Sequence, residues 1–265
     1  MKPFAPRRHF LTGICLCSGG GHMNQELRVD PAHGATGHPG TTRSARRAVL
    51  ARCRSRARVV ERGADLLAEG GEAPGALWVL SGRIELRKTL ADGRSVLFDM
   101  LFPVDVVHPA AVDMRSSEFE ATAAETSRVA LLSRDACARV ERAGDGVGDL
   151  VGRLTAAGRA RRSERLLRVV QGRGEERLAF LLLELALRTD ARSVLAERPC
   201  RLRLPQRAMG EMVGLSTVHV CRVMTRLAER GVLRAERGGV ELRDVAALAA
   251  LAHAEPAALA GAILA

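Results

Sequence analysis

The stretch from Leu204 to Leu242 reads LPQRAMGEMVGLSTVHVCRVMTRLAERGVLRAERGGVEL, and its punctuation decides the fold. Pro205 pre-sets φ for a helix start, which predicts a first helix over Gln206–Val213. Gly210 is small enough for two helices to cross closely, and Gly214, four residues on, supplies the left-handed turn. Leu215 is the turn residue that points into the core, and Ser216 or Thr217 caps the next helix with a hydroxyl. In that helix Val220, Val223, Met224 and Leu227 recur at i, i+3, i+4 and i+7, one buried stripe. The opposite face carries Thr217, Val218, Arg222, Thr225 and Arg226. Such a helix after a glycine-centred turn reads as the recognition helix of a helix-turn-helix; the competing reading is an ordinary helical hairpin with solvated arginines. Gly231-Val232-Leu233, Arg234–Arg237, Gly238-Gly239 and Val240-Glu241-Leu242 follow as a two-stranded wing.

Upstream, the pattern is helical back to about residue 133. Glu175–Thr189 predicts a helix with Leu178, Ala179, Leu181, Leu182, Leu185 and Ala186 on a dense apolar face. Gln171-Gly172-Arg173-Gly174 reads as a hinge before it. Asp149 to about Val170 predicts a long helix, interrupted by Gly152 and Gly158, with Leu150, Leu154, Ala157, Leu166, Leu167 and Val170 as apolar positions and a dimer seam as its use. Ser133-Arg134-Asp135 caps a shorter helix carrying Ala136 and Val140. Before residue 133 the texture is that of strands. Arg83–Arg87 alternates so that Ile84 and Leu86 share a face, and Asp92-Gly93 joins it to Ser95–Phe102 as a hairpin. Val104–Val107, Phe119–Ala123 and Arg128–Leu132 continue the series, which predicts a small barrel or sandwich. Arg43, Arg46, Arg47, Arg52, Arg54, Arg56 and Arg58 suggest a short basic helix over 43–58.

The 265 residues are 47% hydrophobic and 27% charged, enough to bury a core. No apolar run reaches the roughly 18–20 residues of a bilayer span. Aromatics are 3%, which speaks against a stacking platform for single strands. The formal charge of +11 is concentrated at the start, where residues 1–62 hold 12 Lys/Arg against 3 Asp/Glu. A solvated basic tail gives the same total as a nucleic-acid contact, so charge alone decides nothing. Residues 1–44 read as a disordered tail, and Met23 is a candidate start. Arg7-Arg8-His9-Phe10-Leu11 resembles a twin-arginine export signal, but the apolar stretch after it is short and no A-x-A-like site follows. Cys15-x-Cys17 near His9, His22, His33 and His38 is a loose metal pattern, but it reads rather as part of a flexible tail; no CxxC pair exists, so no zinc ribbon is expected. Gly144-x-Gly146-x-Gly148 lacks the context of a nucleotide loop and reads as a turn. No catalytic constellation is visible, so an enzyme is not expected.

Gly214–Val223 (GLSTVHVCRV) and Arg177–Leu182 (RLAFLL), supported by Leu77–Leu86 (LWVLSGRIEL) and Ala91–Arg94 (ADGR), resemble the Crp/Fnr family of bacterial transcription regulators over about residues 45–252. The resemblance implies an α+β chain: a β-roll, cyclic-nucleotide-binding-like sensor over 45–140, a dimerisation helix over 141–172 and a winged helix-turn-helix over 173–252, with 253–265 as a C-terminal tail. It implies a cytoplasmic homodimer on double-stranded DNA, placing two recognition helices in successive major grooves of a pseudo-palindromic site and touching RNA polymerase, with no membrane. Arg222 matches the base-reading arginine, whose planar fork can donate two hydrogen bonds to guanine. Thr217 and Val218 fall at the other base-facing positions, and Val218 in place of a common glutamate can meet a thymine methyl. His219 and Ser216 are expected at phosphate, as are Gln206 and Arg207 at a helix N-terminus and Arg237 on the wing. Thr225 and Arg226 complete the interface, with Cys221 as a small filler.

The effector stays open. In members resembling the cyclic-AMP receptor, an Arg-Ser pair and a Gly-Glu pair hold phosphate and ribose; here those positions fall on Ser117 and Glu118, and near Val106 and Val107. Glu118 would repel a cyclic phosphate, and Arg115 is out of register. The four-cysteine iron–sulfur pattern of Fnr-like members is also missing, with Ala130 at the inner position and no closely spaced N-terminal trio. Haem, another small effector or none at all remain compatible. The reading from a different class is a small-ligand or redox-responsive protein whose C-terminal helices touch only protein.

Overall fold

Alternation in the strands of the N-terminal half builds two facing sheets. The structure, a computed structural model, describes residues 57–73, 75–103, 105–107, 116–142 and 147–264. β1 (Ala57–Val60), β2 (Asp65–Leu67), β3 (Gly75–Ser81), β4 (Ile84–Thr89), β5 (Ser95–Leu101), β6 (Val106–Val107), β7 (Glu120–Ala123) and β8 (Ser127–Ser133) form antiparallel sheets of order β1-β8-β3-β6 and β2-β7-β4-β5. Leu77, Val79, Ile84, Leu86, Ala121 and Val129 point between the sheets. The alternate residues Ala76, Trp78, Ala130 and Leu132 point the other way, under helices α1 (Arg134–Arg142) and α2 (Val147–Gln171). The middle of that sheet is thus covered on both faces, which explains why β3 and the centre of β8 are almost continuously apolar.

The Asp92-Gly93 hairpin forms as expected, Thr89 opposite Ser95 and Gly93 at φ +82°. The Ser133 hydroxyl caps α1 by accepting from Ala136 N–H at 3.2 Å. The helix expected over 43–58 ends differently: Ala57 and Arg58 belong to β1, paired with Ala130 and Val129 on β8, while 43–56 lie outside the described residues. The tail 1–44, with its cysteines, histidines and arginine pair, lies outside them too, as do Gly144 and Gly146; Gly148, read as part of a turn, is inside α2.

Helix α3 (Gly174–Leu195) is buried on every side between Leu178 and Leu187, so it is the axis of the C-terminal core and not a one-faced amphipath. It runs six residues beyond the expected Thr189, across a break at Asp190 (φ −150°, ψ 63°). Around it pack β9 (Cys200–Leu202), α4 (Gln206–Val213), α5 (Thr217–Glu229), β10 (Leu233–Glu236), β11 (Gly239–Leu242), α6 (Val245–Leu251) and α7 (Pro256–Ile263). Two expectations are corrected here. The wing has three strands, in the order β10-β11-β9, because Cys200–Leu202 pairs with β11. The segment from 253 is not a tail: Pro256 at a helix start and a Glu255 side-chain cap set up α7, which buries Leu259, Ala260 and Ile263. No single described helix is long and apolar enough to cross a membrane; α6 and α7 reach that composition only as a pair bent by 74°, and their apolar residues sit in the core.

Along α2, Leu150, Leu154 and Ala157 are buried, whereas Leu166, Leu167 and Val170 are 61%, 57% and 64% exposed. The helix therefore spends its first half on the roll and leaves an apolar stripe near its end.

Candidate nucleic-acid interface

Local chemistry fixes the bend between α4 and α5. Gly214 adopts φ +67°, and its N–H and that of Leu215 both return to the Gly210 carbonyl. A Cβ at Gly210 would lie 2.5 Å from the Leu215 carbonyl oxygen and 3.3 Å from a Val220 methyl, so only glycine allows this crossing. Ser216 is the cap of α5, its hydroxyl accepting from His219 N–H at 3.2 Å. Val220, Val223, Met224 and Leu227 are buried, as their spacing predicts, and Leu215 packs against the same core.

That burial turns Thr217, Val218, His219, Cys221, Arg222, Thr225 and Arg226 outward. Val218 is 62% exposed, an apolar side chain held in water on an otherwise polar face. Arg222 is exposed, with no ion-pair partner among the described residues. Its neighbours are tied more closely. Arg226 lies 3.6 Å from Glu175 at the start of α3, and the same carboxylate holds Arg230 at 2.5 Å. The His219 imidazole lies against Gly174, where a Cβ would come within 2.6 Å of Nε2. Thr225 donates its hydroxyl to the Cys221 carbonyl at 3.0 Å. On α4, Gln206 is half-buried, and Arg207 pairs with Glu211 at 2.9 Å while remaining 80% exposed. Arg237 sits exposed at the wing tip beside Gly238. The site residues on α4 and α5 thus belong to one bent helix pair, with Arg237 on the wing.

Sequence reading missed the acidic partners. Glu175, Glu211 and Glu241 each hold arginines of this unit; Glu211 also takes Arg87 of β4 at 2.9 Å, and Glu241 takes Arg201, Arg234 and Arg243. Burial raises the Glu211 carboxyl, and Arg207 and Arg87 outweigh it and hold the pKa low. The signal was the i,i+4 spacing of Arg207 and Glu211; the contact to Arg87 is tertiary.

In the roll, a cavity of about 900 Å³ is lined by Leu90, Val96, Phe98 and Phe119, with Ser117, Glu118, Glu69 and Lys88 at its polar side. Ser117 is buried and donates to the Phe119 carbonyl at 2.6 Å. Lys88 is engaged by the Glu118 carbonyl at 2.6 Å and Glu69 at 2.9 Å, and Arg162 by Asp99 at 3.2 Å. A cyclic phosphate there would face two carboxylates and cations that already have partners, so the residues do not fit it. Val106 and Val107 are both buried. The described cysteines, Cys137, Cys200 and Cys221, lie on α1, β9 and α5, and Ala130 is buried in β8.

Comparison with known proteins agrees with this architecture. Residues 57–142 match the cyclic nucleotide-binding domain model, and residues 176–251 match the Crp-like helix-turn-helix domain model. The chain belongs to the Crp/Fnr family. It is 25% identical over 200 residues to the transcriptional activator protein anr of Pseudomonas aeruginosa, covering 74% of this chain and 80% of that one. The transcriptional activator protein FnrA of Stutzerimonas stutzeri is 24% identical over 197 residues, with the same coverage. Among solved structures, FixK2 from Bradyrhizobium japonicum superposes with a TM-score of 0.64 at 23% identity, over 74% of this chain and 96% of that one. Like the family, this Crp/Fnr chain is a DNA-binding transcription regulator.

Proposed function

We propose that the protein acts in the cytoplasm as a homodimer on a pseudo-palindromic operator and contacts RNA polymerase from there. The observation that carries this reading is Arg222, exposed and unpaired among the described residues, standing over the buried stripe of α5 behind a helix bend that admits only glycine. A guanidinium so placed can fork onto guanine O6 and N7, with Thr217 beside it and Val218 against a thymine methyl. Ser216, His219, Gln206, Arg207 and Arg237 face phosphate, and Thr225 and Arg226 flank them. The apolar stripe Leu166, Leu167 and Val170 is the seam that a second α2 covers, which sets two copies of α5 one turn of DNA apart.

Selection of bound duplexes from a random pool tests the whole reading. The expected product is two inverted half-sites, each with a guanine, spaced by about one helical turn. Recovery of no enriched sequence, or of a single unpaired motif, would refute it.

A further inference from the structure

Seven charged side chains from four parts of the chain meet beneath strand β5. Asp99 on β5 is fully buried. Its Oδ1 accepts from Met100 N–H at 2.9 Å, from Arg165 Nη2 of α2 at 3.4 Å and from Arg188 Nη1 of α3 at 3.5 Å; its Oδ2 accepts from Arg162 of α2 at 3.2 Å. Glu184 of α3, also fully buried, takes Arg165 through both oxygens at 2.7 and 2.8 Å and Arg188 at 3.1 Å. Asp105, in the loop after β5, takes Arg188 at 2.7 Å and Arg161 at 3.1 Å. Arg161 reaches on to the Ile263 carbonyl at the end of α7, and Arg188 to the Met100 carbonyl. Four guanidinium groups thus share three carboxylates.

The apolar contact between β5 and the C-terminal core, through Leu97 and Met100, is non-directional and tolerates sliding. Hydrogen-bonded ions do not: each donor has to meet its oxygen, and a displaced buried charge has no water to replace the partner. Two carboxylates of the roll, Asp99 and Asp105, each touch both α2, the seam helix, and α3, the axis of the DNA-binding unit; Asp99 is the fully buried one and takes two arginines of α2.

We propose that Asp99 is a positioning residue for DNA recognition: by joining roll, seam helix and DNA-binding unit at one buried carboxylate, it fixes the separation of the two recognition helices and so the half-site spacing the dimer accepts. This rests on the dimeric reading above. Binding of the second half-site is an intramolecular step whose advantage depends on α5 already standing where that half-site lies. Replacing the carboxylate by an amide leaves four guanidinium groups with two carboxylates, which drives α2 and α3 away from β5.

The test uses the full chain and the selected operator, with duplexes whose half-site spacing is altered by one or two base pairs and a duplex carrying one half-site. Asp99→Asn is expected to lose about tenfold or more on the natural spacing and to hold the single half-site within about twofold. Its penalty for altered spacing should shrink. A folded variant with the parent's spacing profile would overturn the proposal, as would an equal loss on the single half-site. Arg162→Met cuts Asp99 Oδ2 from α2 while removing surplus positive charge, so it keeps the test open if Asp99→Asn does not fold; the same broadening is expected, and an unchanged profile overturns the idea. A parent that prefers no spacing would instead sink the dimeric reading, and the proposal with it.

Discussion

Glu175 and Arg226 face each other at 3.6 Å, so a carboxylate from the start of α3 stands beside a cation of the recognition helix. The same carboxylate holds Arg230, and Glu211 does likewise for Arg207 on α4. These acids position the arginines and also offset charge that would otherwise meet phosphate. Glu175→Gln should therefore tighten non-specific DNA binding and steepen its salt dependence by about 0.9 in the slope of log K against log salt for each additional phosphate contact. Titrating a scrambled duplex across a salt series measures both. An unchanged slope would mean that Arg226 stays away from phosphate even when released.

Arg222→Ala should cost about 1–3 kcal/mol at one guanine in each half-site and leave affinity for scrambled duplexes close to the parent's. Competition with duplexes substituted base by base reads the effect position by position. A uniform loss over all sequences would reassign Arg222 to the backbone. Val218→Glu makes the complementary change, replacing a methyl contact with an acceptor; thymine preference at the adjacent position should give way to cytosine.

Gly210→Ala and Gly214→Ala separate two uses of glycine in one motif. At Gly210 the new methyl meets a backbone oxygen at 2.5 Å, so α4 and α5 have to move apart, at about 1–3 kcal/mol. At Gly214 nothing lies within 4 Å, and only the left-handed φ of +67° resists, at about 1–2 kcal/mol. Denaturant midpoints give the stability losses. DNA affinity discriminates further: Gly210→Ala displaces the recognition helix and should weaken operator binding even where the fold survives, whereas Gly214→Ala should keep it.

The recognition unit was legible because its determinants are local: Pro205, Gly210, Gly214, Ser216 and the Val220–Leu227 stripe lie within 23 residues of one another. β9 was missed because three residues, Cys200–Leu202, carry almost no periodic signal without their partner strand. α7 was missed because PAALAGAI is small-residue sequence in which only Leu259 and Ile263 are large and apolar. The ion cluster could not be read as a set, since Asp99, Asp105 and Arg165 come from three separate parts of the chain and only Glu184 and Arg188 share a helix. One residue did announce it. Glu184 interrupts the run Leu181-Leu182-Leu183-Glu184-Leu185-Ala186-Leu187, and a carboxylate inside a helix buried on all sides has to find a cation.

Strong acid should weaken the junction at Asp99. Burial pushes the carboxyl pKa up, but Arg165, Arg188, Arg161 and Arg162 outweigh it and bring it from 3.8 to about 2. A carboxylate with a lowered folded pKa contributes stability that is complete above its unfolded value and is lost as pH falls through the folded one. The contribution, about 2 kcal/mol, is therefore constant near neutrality and disappears between about pH 4 and pH 2. Glu211 is another carboxylate that its arginines hold below the usual range, so the parent alone does not isolate the effect. The difference between parent and Asp99→Asn in denaturant midpoint does: it should be flat from pH 7 to about pH 4 and shrink below that, as the parent acquires the proton the variant never needed. A difference that stays constant down to pH 2 would show that Asp99 is held by shape and not by charge.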